Sequence, residues 1–204
     1  MGAFVAQYWY LIIFFILLCI LTVFLCYKAA VTSSQRSREK REFLAKLDRE
    51  KKLREAFSQI TAEVIDSQPQ EDVFEGVVAN IQRRLDKSAD MVKTFNEMPQ
   101  QMRYVYAAFY VLDDSKDSVL SEFFKKNGQP LTGISGDAVT AIFGSELGEA
   151  VAEEWERYDE DNEETSVIPE EIDKINKKFN ISREKVNVSE CVIKYVKDNI
   201  TTFA

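Results

Sequence analysis

Pro99-Gln-Gln-Met-Arg-Tyr-Val-Tyr-Ala-Ala-Phe-Tyr-Val-Leu112 is the stretch on which the reading of the whole chain turns. Proline suits the first turn of a helix, where its missing N–H costs nothing. Met102, Val105, Tyr106, Phe109 and Leu112 then recur at helical spacing and share one face. The same period runs outward in both directions. Before it, Ser67-Gln-Pro-Gln predicts a capped start, followed by an apolar face at Phe74, Val77, Val78, Ile81 and Leu85. After it come Val119, Leu120, Phe123 and Phe124, closed by Asn127-Gly128, which predicts a left-handed cap. Residues 127–136 read as a loop. Val139, Ile142 and Phe143 begin a short helix. Ser145 caps the next, with Leu147, Val151, Trp155 and Tyr158. Pro169 opens one carrying Ile172, Ile175 and Phe179, and a last helix carries Val192, Val196 and Ile200. No stretch alternates long enough to predict a sheet, and no internal repeat is present. The expected class is all-α, with residues 66–204 forming a compact multi-helix domain large enough for one core.

Charge divides the chain into three. Residues 1–27 carry no charged side chain. Residues 28–54 carry ten Lys/Arg against four Asp/Glu, and residues 55–204 carry sixteen against thirty. A greasy end (1–27) therefore precedes a basic neck (28–65) and an acidic body (66–204). Within the greasy end, Tyr8-Trp-Tyr-Leu-Ile-Ile-Phe-Phe-Ile-Leu-Leu-Cys-Ile-Leu-Thr-Val-Phe-Leu-Cys-Tyr27 is long enough, as a helix, to cross a bilayer's hydrocarbon core of about 30 Å. Aromatic residues stand at both ends of the run. No basic segment precedes it, and it exceeds a signal peptide's apolar region, so a membrane-spanning helix is expected rather than a cleaved leader. Lys28, Arg36, Arg38, Lys40 and Arg41 follow it. Positive charge stays on the cytoplasmic side, which predicts a single-pass protein with its N-terminus outside and its body in the cytoplasm. The sequons at Asn180, Asn187 and Asn199 are then chance matches. Met1-Gly2 lacks the Ser/Thr that a myristoylation signal needs at position 6, and Cys26 reads as a small apolar residue more readily than as a lipidated one.

The neck lacks Gly and Pro between residues 35 and 65 and is rich in helix formers, which predicts a helix. A coiled-coil frame through Phe43, Leu47, Phe57 and Val64 would also bury Glu50, Arg54 and Thr61. The better reading is a solvated helix whose far end, through Leu53, Ala56, Phe57, Ile60 and Val64, packs on the body. Its basic residues nearest the bilayer favour anionic lipid headgroups.

The composition removes whole classes of chemistry. There is no histidine, so Ser-His-Asp and Cys-His catalysis and histidine metal sites are absent. Three scattered cysteines make neither a disulfide framework nor a CxxC site. The glycines have no phosphate-binding spacing. Asp159 to Glu170 sets acids at positions 1, 3, 5 and 12 of a calcium loop, but Glu164 stands where the sharp turn requires glycine. No catalytic residue, metal or cofactor is therefore assigned.

What remains is acidity. From Glu146 to Asp173 there are thirteen acids and a single base, Arg157. Glu149, Glu153, Glu156 and Glu160 recur with Glu146 every three or four residues, and Asp161, Glu163 and Glu164 extend the run. Spaced carboxylates suit a protein partner with a basic surface, and the strong acidity argues against direct nucleic-acid binding. The expected role is a membrane-anchored interaction module, of undetermined oligomeric state, bound to the bilayer through residues 8–27. Two alternatives stay open: a structural subunit of a membrane complex, and an enzyme with an aromatic pocket near residues 104–124.

Arg103-Tyr-Val-Tyr-Ala-Ala-Phe-Tyr-Val-Leu, Leu120-Ser-Glu-Phe-Phe-Lys-Lys-Asn-Gly, the acidic run from Trp155 to Glu164, Asp173-Lys-Ile-Asn-Lys-Lys-Phe and Tyr195-Val-Lys-Asp-Asn-Ile carry a resemblance. Across about residues 95–203 the chain resembles a family of small acidic all-helical bacterial domains whose best-known member mimics DNA. The resemblance implies a bacterial protein, hence an inner-membrane location, and a face of carboxylates that stands in for phosphates. Where that family has an Asn-Asn-Gly-Gly-Phe-like turn, this chain has Asp117-Ser-Val-Leu-Ser-Glu-Phe-Phe.

Overall fold

The computed structural model describes residues 2–116, 119–158 and 169–203; before residue 43 the described side chains are 13–15, 17–22, 24, 28, 36, 38, 40 and 41. Among the described residues there is no strand, and the fold is all-α. The helices are α1 (Gly2–Ala56), α2 (Ala62–Ser67), α3 (Gln70–Asp86), α4 (Met91–Glu97), α5 (Gln100–Asp114), α6 (Ser121–Lys126), α7 (Ser135–Phe143), α8 (Ser145–Trp155), α9 (Pro169–Glu184), α10 (Val188–Asp198) and α11 (Ile200–Phe203). A 3-10 turn, Thr132–Ile134, leads into α7. The chain forms two compact units, Met1–Glu50 and Lys51–Ala204.

In the first unit, α1 carries Ile13, Phe14, Phe15, Leu17, Leu18, Ile20, Leu21 and Phe24, all exposed. Farther along, Phe43, Leu44 and Leu47 are exposed as well. Among the described residues no helix is long and apolar enough to cross a membrane; the side chains described within the apolar run are those of 13–15, 17–22 and 24.

The second unit is built around α5. Its Met102, Val105, Ala107, Ala108 and Val111 are fully buried. On one side it meets α7, on the other α3, and α11 closes against it. From α7 the packing continues to α8 and then α9, while α10 lies on α3 and α7. The helical spacing read around Pro99–Leu112 thus marks the centre of the core, and Phe74, Phe123, Phe124, Ile175, Phe179, Val192 and Val196 join it as expected.

The expected neck helix ends sooner than its composition predicts. It stops at Ala56, turns through residues 57–60, and resumes as α2, where the Thr61 hydroxyl accepts the Val64 N–H at 3.3 Å. The cause is α3. Gly76 leaves a hole for the Phe57 ring, and a Cβ there would stand 2.1 Å from Phe57 Cδ2. Asn80 Nδ2 donates to the freed carbonyls of Phe57 at 2.6 Å and Ser58 at 3.2 Å, and Arg83 donates to Ser58 O at 2.7 Å. Arg54 pairs with Asp86 at 3.3 Å. A turn that breaks a helix must satisfy the carbonyls it frees, and α3 does so here. Leu53, Phe57, Ile60 and Ile65 are buried, so the far end of the neck packs into the second unit, which begins at Lys51.

Three end signals also fall elsewhere. Ser67 closes α2 by donating to Val64 O at 2.9 Å, while Pro69 caps α3 without a side-chain bond. Asn127 caps α6 in extended backbone, and the left-handed glycine is Gly144, at φ +101° between α7 and α8. Ser145 is therefore the first residue of α8, not its cap.

Candidate functional site

Of the acids singled out by spacing, Glu146, Glu149 and Glu153 lie on α8, and Glu146 and Glu149 line the groove it makes with α9. On α8, Leu147, Gly148, Ala150 and Val151 face the core, and Glu146, Glu149 and Glu156 are exposed. α8 stops at Trp155, so Glu156 stands at its C-terminal cap, and Glu160, Asp161, Glu163 and Glu164 lie outside the described residues. So does most of the calcium-like loop; its last acid, Glu170, is exposed at the start of α9. Among the described residues no group of three metal-ligating side chains forms.

The acids are not left among themselves. Lys178 of α9 reaches Glu149 at 3.7 Å and Glu153 at 3.6 Å. Lys185 lies 3.6 Å from Glu146. Arg157 pairs with Glu153 at 3.4 Å and with Glu171 of α9 at 3.5 Å. The groove, of about 500 Å³, is lined by Glu146 and Glu149 on one wall and Lys174, Lys177, Lys178 and Lys185 on the other. Along α8 the described part of that run faces lysines that α9 and the residue after it supply from later in the chain.

One acid of α8 behaves differently. Glu154 is fully buried. The Ser121 hydroxyl at the start of α6 donates to its Oε1, and its Oε2 has no hydrogen-bond partner among the described residues. Burial pushes this carboxyl up to about 7, and the Ser121 bond lowers it only in part. Next to it in the chain, Trp155 stacks on Phe124 at 5.7 Å, and Tyr158 stacks on the same ring at 5.5 Å. Asn176 of α9 accepts the Leu120 N–H at 2.8 Å, so the start of α6 is held by α8 from one side and α9 from the other. The sequence reading counted Glu154 only within the acidic total. A signal was present: Glu154 follows Leu147 by seven and Val151 by three, which places it on the apolar stripe.

The aromatic side chains near residues 104–124 form ring contacts instead of one chamber. Phe95, Tyr106, Tyr110, Phe109 and Phe74 touch in succession at centroid distances of 4.9 to 5.7 Å. Phe123 and Phe124 belong to the separate cluster beside Glu154. An open groove of about 310 Å³ does lie against Tyr106, between Met91 and Val92 of α4 and the 126–131 segment. The Tyr106 hydroxyl donates to Gln82 Oε1, and burial holds it well above the usual phenol range. It is a fixed donor at neutral pH, not a base.

No protein-family model, no curated protein and no solved structure matches this chain.

Proposed function

We propose that the protein is a single-pass membrane protein, N-terminus outside, that presents an acidic all-helical module to a protein partner with a basic surface in the cytoplasm. The observation that carries the membrane part is the exposure of α1. Ile13, Phe14 and Phe15 are successive residues, about 100° apart around the helix, and are 46%, 64% and 64% exposed. Large apolar side chains exposed at successive positions of a helix suit lipid better than water. The one hydroxyl among Leu11–Leu25 is satisfied internally, Thr22 Oγ1 donating to Leu18 O at 2.8 Å, as hydrocarbon requires. Lys28, Arg36, Arg38, Lys40 and Arg41 are exposed just beyond, which supports the orientation.

The partner part rests on α8. Its ion pairs to α9 lie at the surface, where such pairs contribute only about 0–1 kcal/mol. Lys178 can therefore yield Glu149 and Glu153 to stronger cations on a partner, and Glu156 is exposed beside them. A partner that binds nucleic acid through a basic surface fits this charge pattern, in line with the DNA-mimic resemblance.

Protease protection tests the reading. In intact cells the body is expected to be spared, and in inverted vesicles digested. Extraction of the chain by alkaline carbonate, or digestion of the body in intact cells, rejects the membrane assignment or its orientation.

A further inference from the structure

We propose that Glu154 is a proton-operated latch that fastens the last turn of α8 to the start of α6. Glu154 is the one carboxylate among the described residues that is both fully buried and bonded across helices, through Ser121. As a neutral acid it accepts the Ser121 O–H at Oε1 and keeps its proton in an apolar surround. When the proton leaves to solvent, the charge is shared with Oε2, which has no donor among the described residues. A buried carboxylate without donors is costly and draws in water. Trp155, next to Glu154 in the chain, and Tyr158, one turn on, both stack on Phe124 of α6, so the same turn of α8 is tied to α6 by rings as well as by Ser121. Opening the latch therefore means loosening that stack and freeing the end of α8. Glu153 and Glu156 flank Glu154 in this turn, so the same proton governs how the outward acids are displayed.

The charged groups of the packed elements are engaged elsewhere. On α6, Glu122 and Lys125 pair with each other at 3.3 Å, and Lys126 pairs with Asp114 of α5. On α9, Lys178 holds Glu149 and Glu153, and Glu171 holds Arg157. On α7, the one carboxylate, Asp137, lies in the first turn. None of these is among the causes that set the Glu154 carboxyl, which are burial first and the Ser121 bond second. With the carboxyl pushed up to about 7, the latch is poised to release around neutral pH.

The chain has two tryptophans, Trp9 and Trp155. Full-length protein carrying Trp9→Phe, in detergent micelles, leaves Trp155 as the only indole reporter, beside the latch. Its emission, followed from about pH 5 to 9, is expected to change in one step centred near the carboxyl's value, with faster amide exchange at residues 152–158 on the alkaline side. Glu154→Gln keeps the size and the acceptor for Ser121 and is expected to abolish the step. Ser121→Ala removes the bond that lowers the carboxyl, so its step is expected to move to higher pH. Far-UV circular dichroism establishes that each variant is folded. A flat profile in the protein that retains Glu154, or an unchanged step in Glu154→Gln, overturns the proposal. If Glu154→Gln fails to fold, the direction of the Ser121→Ala shift decides alone: upward supports it, no shift overturns it.

Discussion

Asn80 and Glu154 are both buried polar side chains that tie one helix to another, and the fold treats them in opposite ways. Asn80 is satisfied on both ends: Nδ2 donates to the carbonyls of Phe57 and Ser58, and Oδ1 accepts from Arg84 Nε at 3.2 Å. Glu154 has one bond, and its second oxygen has no partner among the described residues. A fully paired amide holds its neighbours equally at any pH. A half-paired carboxyl holds them only while it is neutral, because an unmet charge costs far more than an unmet dipole. The seam around Phe57 is therefore built to be permanent, and the end of α8 to be conditional.

The permanent seam gives the largest expected effects. A fragment beginning at Asp66 lacks Leu53, Phe57, Ile60 and Ile65, each buried in the intact unit. Removing one such side chain costs about 2–5 kcal/mol, against a total stability of about 5–15 kcal/mol. That fragment is expected to lose cooperative thermal unfolding, whereas one beginning at Lys51 retains it. A sharp melt from the Asp66 fragment would place the core elsewhere.

The knob and its hole give a smaller but more specific effect. Phe57→Ala is expected to cost about 4 kcal/mol in urea unfolding. Gly76→Ala forces a methyl into the ring and is expected to cost about 1–3 kcal/mol. With the ring gone the sign reverses: in a Phe57→Ala background, Gly76→Ala is expected to stabilise by up to about 1 kcal/mol through helix propensity. Additive effects would mean that the hole does not exist for Phe57.

At the conditional end the effect depends on pH. The Glu154 carboxyl sits at about 7 in the fold against 4.5 unfolded, so the fold prefers it protonated. Below 4.5 both states are neutral and nothing is gained or lost. As pH rises from 4.5 to 7 stability falls, and above 7 the loss is complete, at roughly 3 kcal/mol from 1.36 kcal/mol per pH unit. Glu154→Gln is expected to match or trail the parent near pH 4.5 and to overtake it by pH 8. Asn80→Ala, by contrast, is expected to cost about 2 kcal/mol at both pH values. Denaturant titrations at the two pH values separate them, and equal pH slopes for parent and Glu154→Gln would erase the contrast.

How far this contrast was legible in the sequence differs between its halves. The helical period from Phe74 to Val196 named most of the core, because apolar spacing is a local property that burial obeys. Phe57 and Ile60 were on that stripe too, yet the break at Ala56 was invisible: nothing in residues 35–65 stops a helix, and the side-chain donors that satisfy the turn's carbonyls, Asn80 and Arg83, sit on α3, beyond Gly76. The acidic run shows the same limit of local reading. Counting from Glu146 to Asp173 found one cation, while Lys178 and Lys185 arrive from later in α9. Charge along a chain says how the unfolded polymer repels itself, and only the fold says which charges meet. Glu154 was legible in position but not in meaning, since spacing puts it on the apolar face and only Ser121 explains why it is tolerated there.

The smallest expected effect concerns those cations, and it bears most directly on the proposed interaction. If the pairs from Lys178 to Glu149 and Glu153 are ordinary surface pairs, a double-mutant cycle of Lys178→Gln with Glu149→Gln is expected to give a coupling of about 0.5 kcal/mol or less. The Debye length falls from about 10 Å at 0.1 M salt to about 3 Å at 1 M, so that coupling is expected to vanish at high salt. A weak, screened pair leaves the acids of α8 free to exchange Lys178 for a partner's cations. A coupling of about 1.5 kcal/mol or more that survives 1 M salt would mean the opposite. The seam between α8 and α9 would then be a fixed structural element like the one at Asn80, Glu149 and Glu153 would be committed to the fold, and a basic partner would have to be sought at Glu156 and beyond.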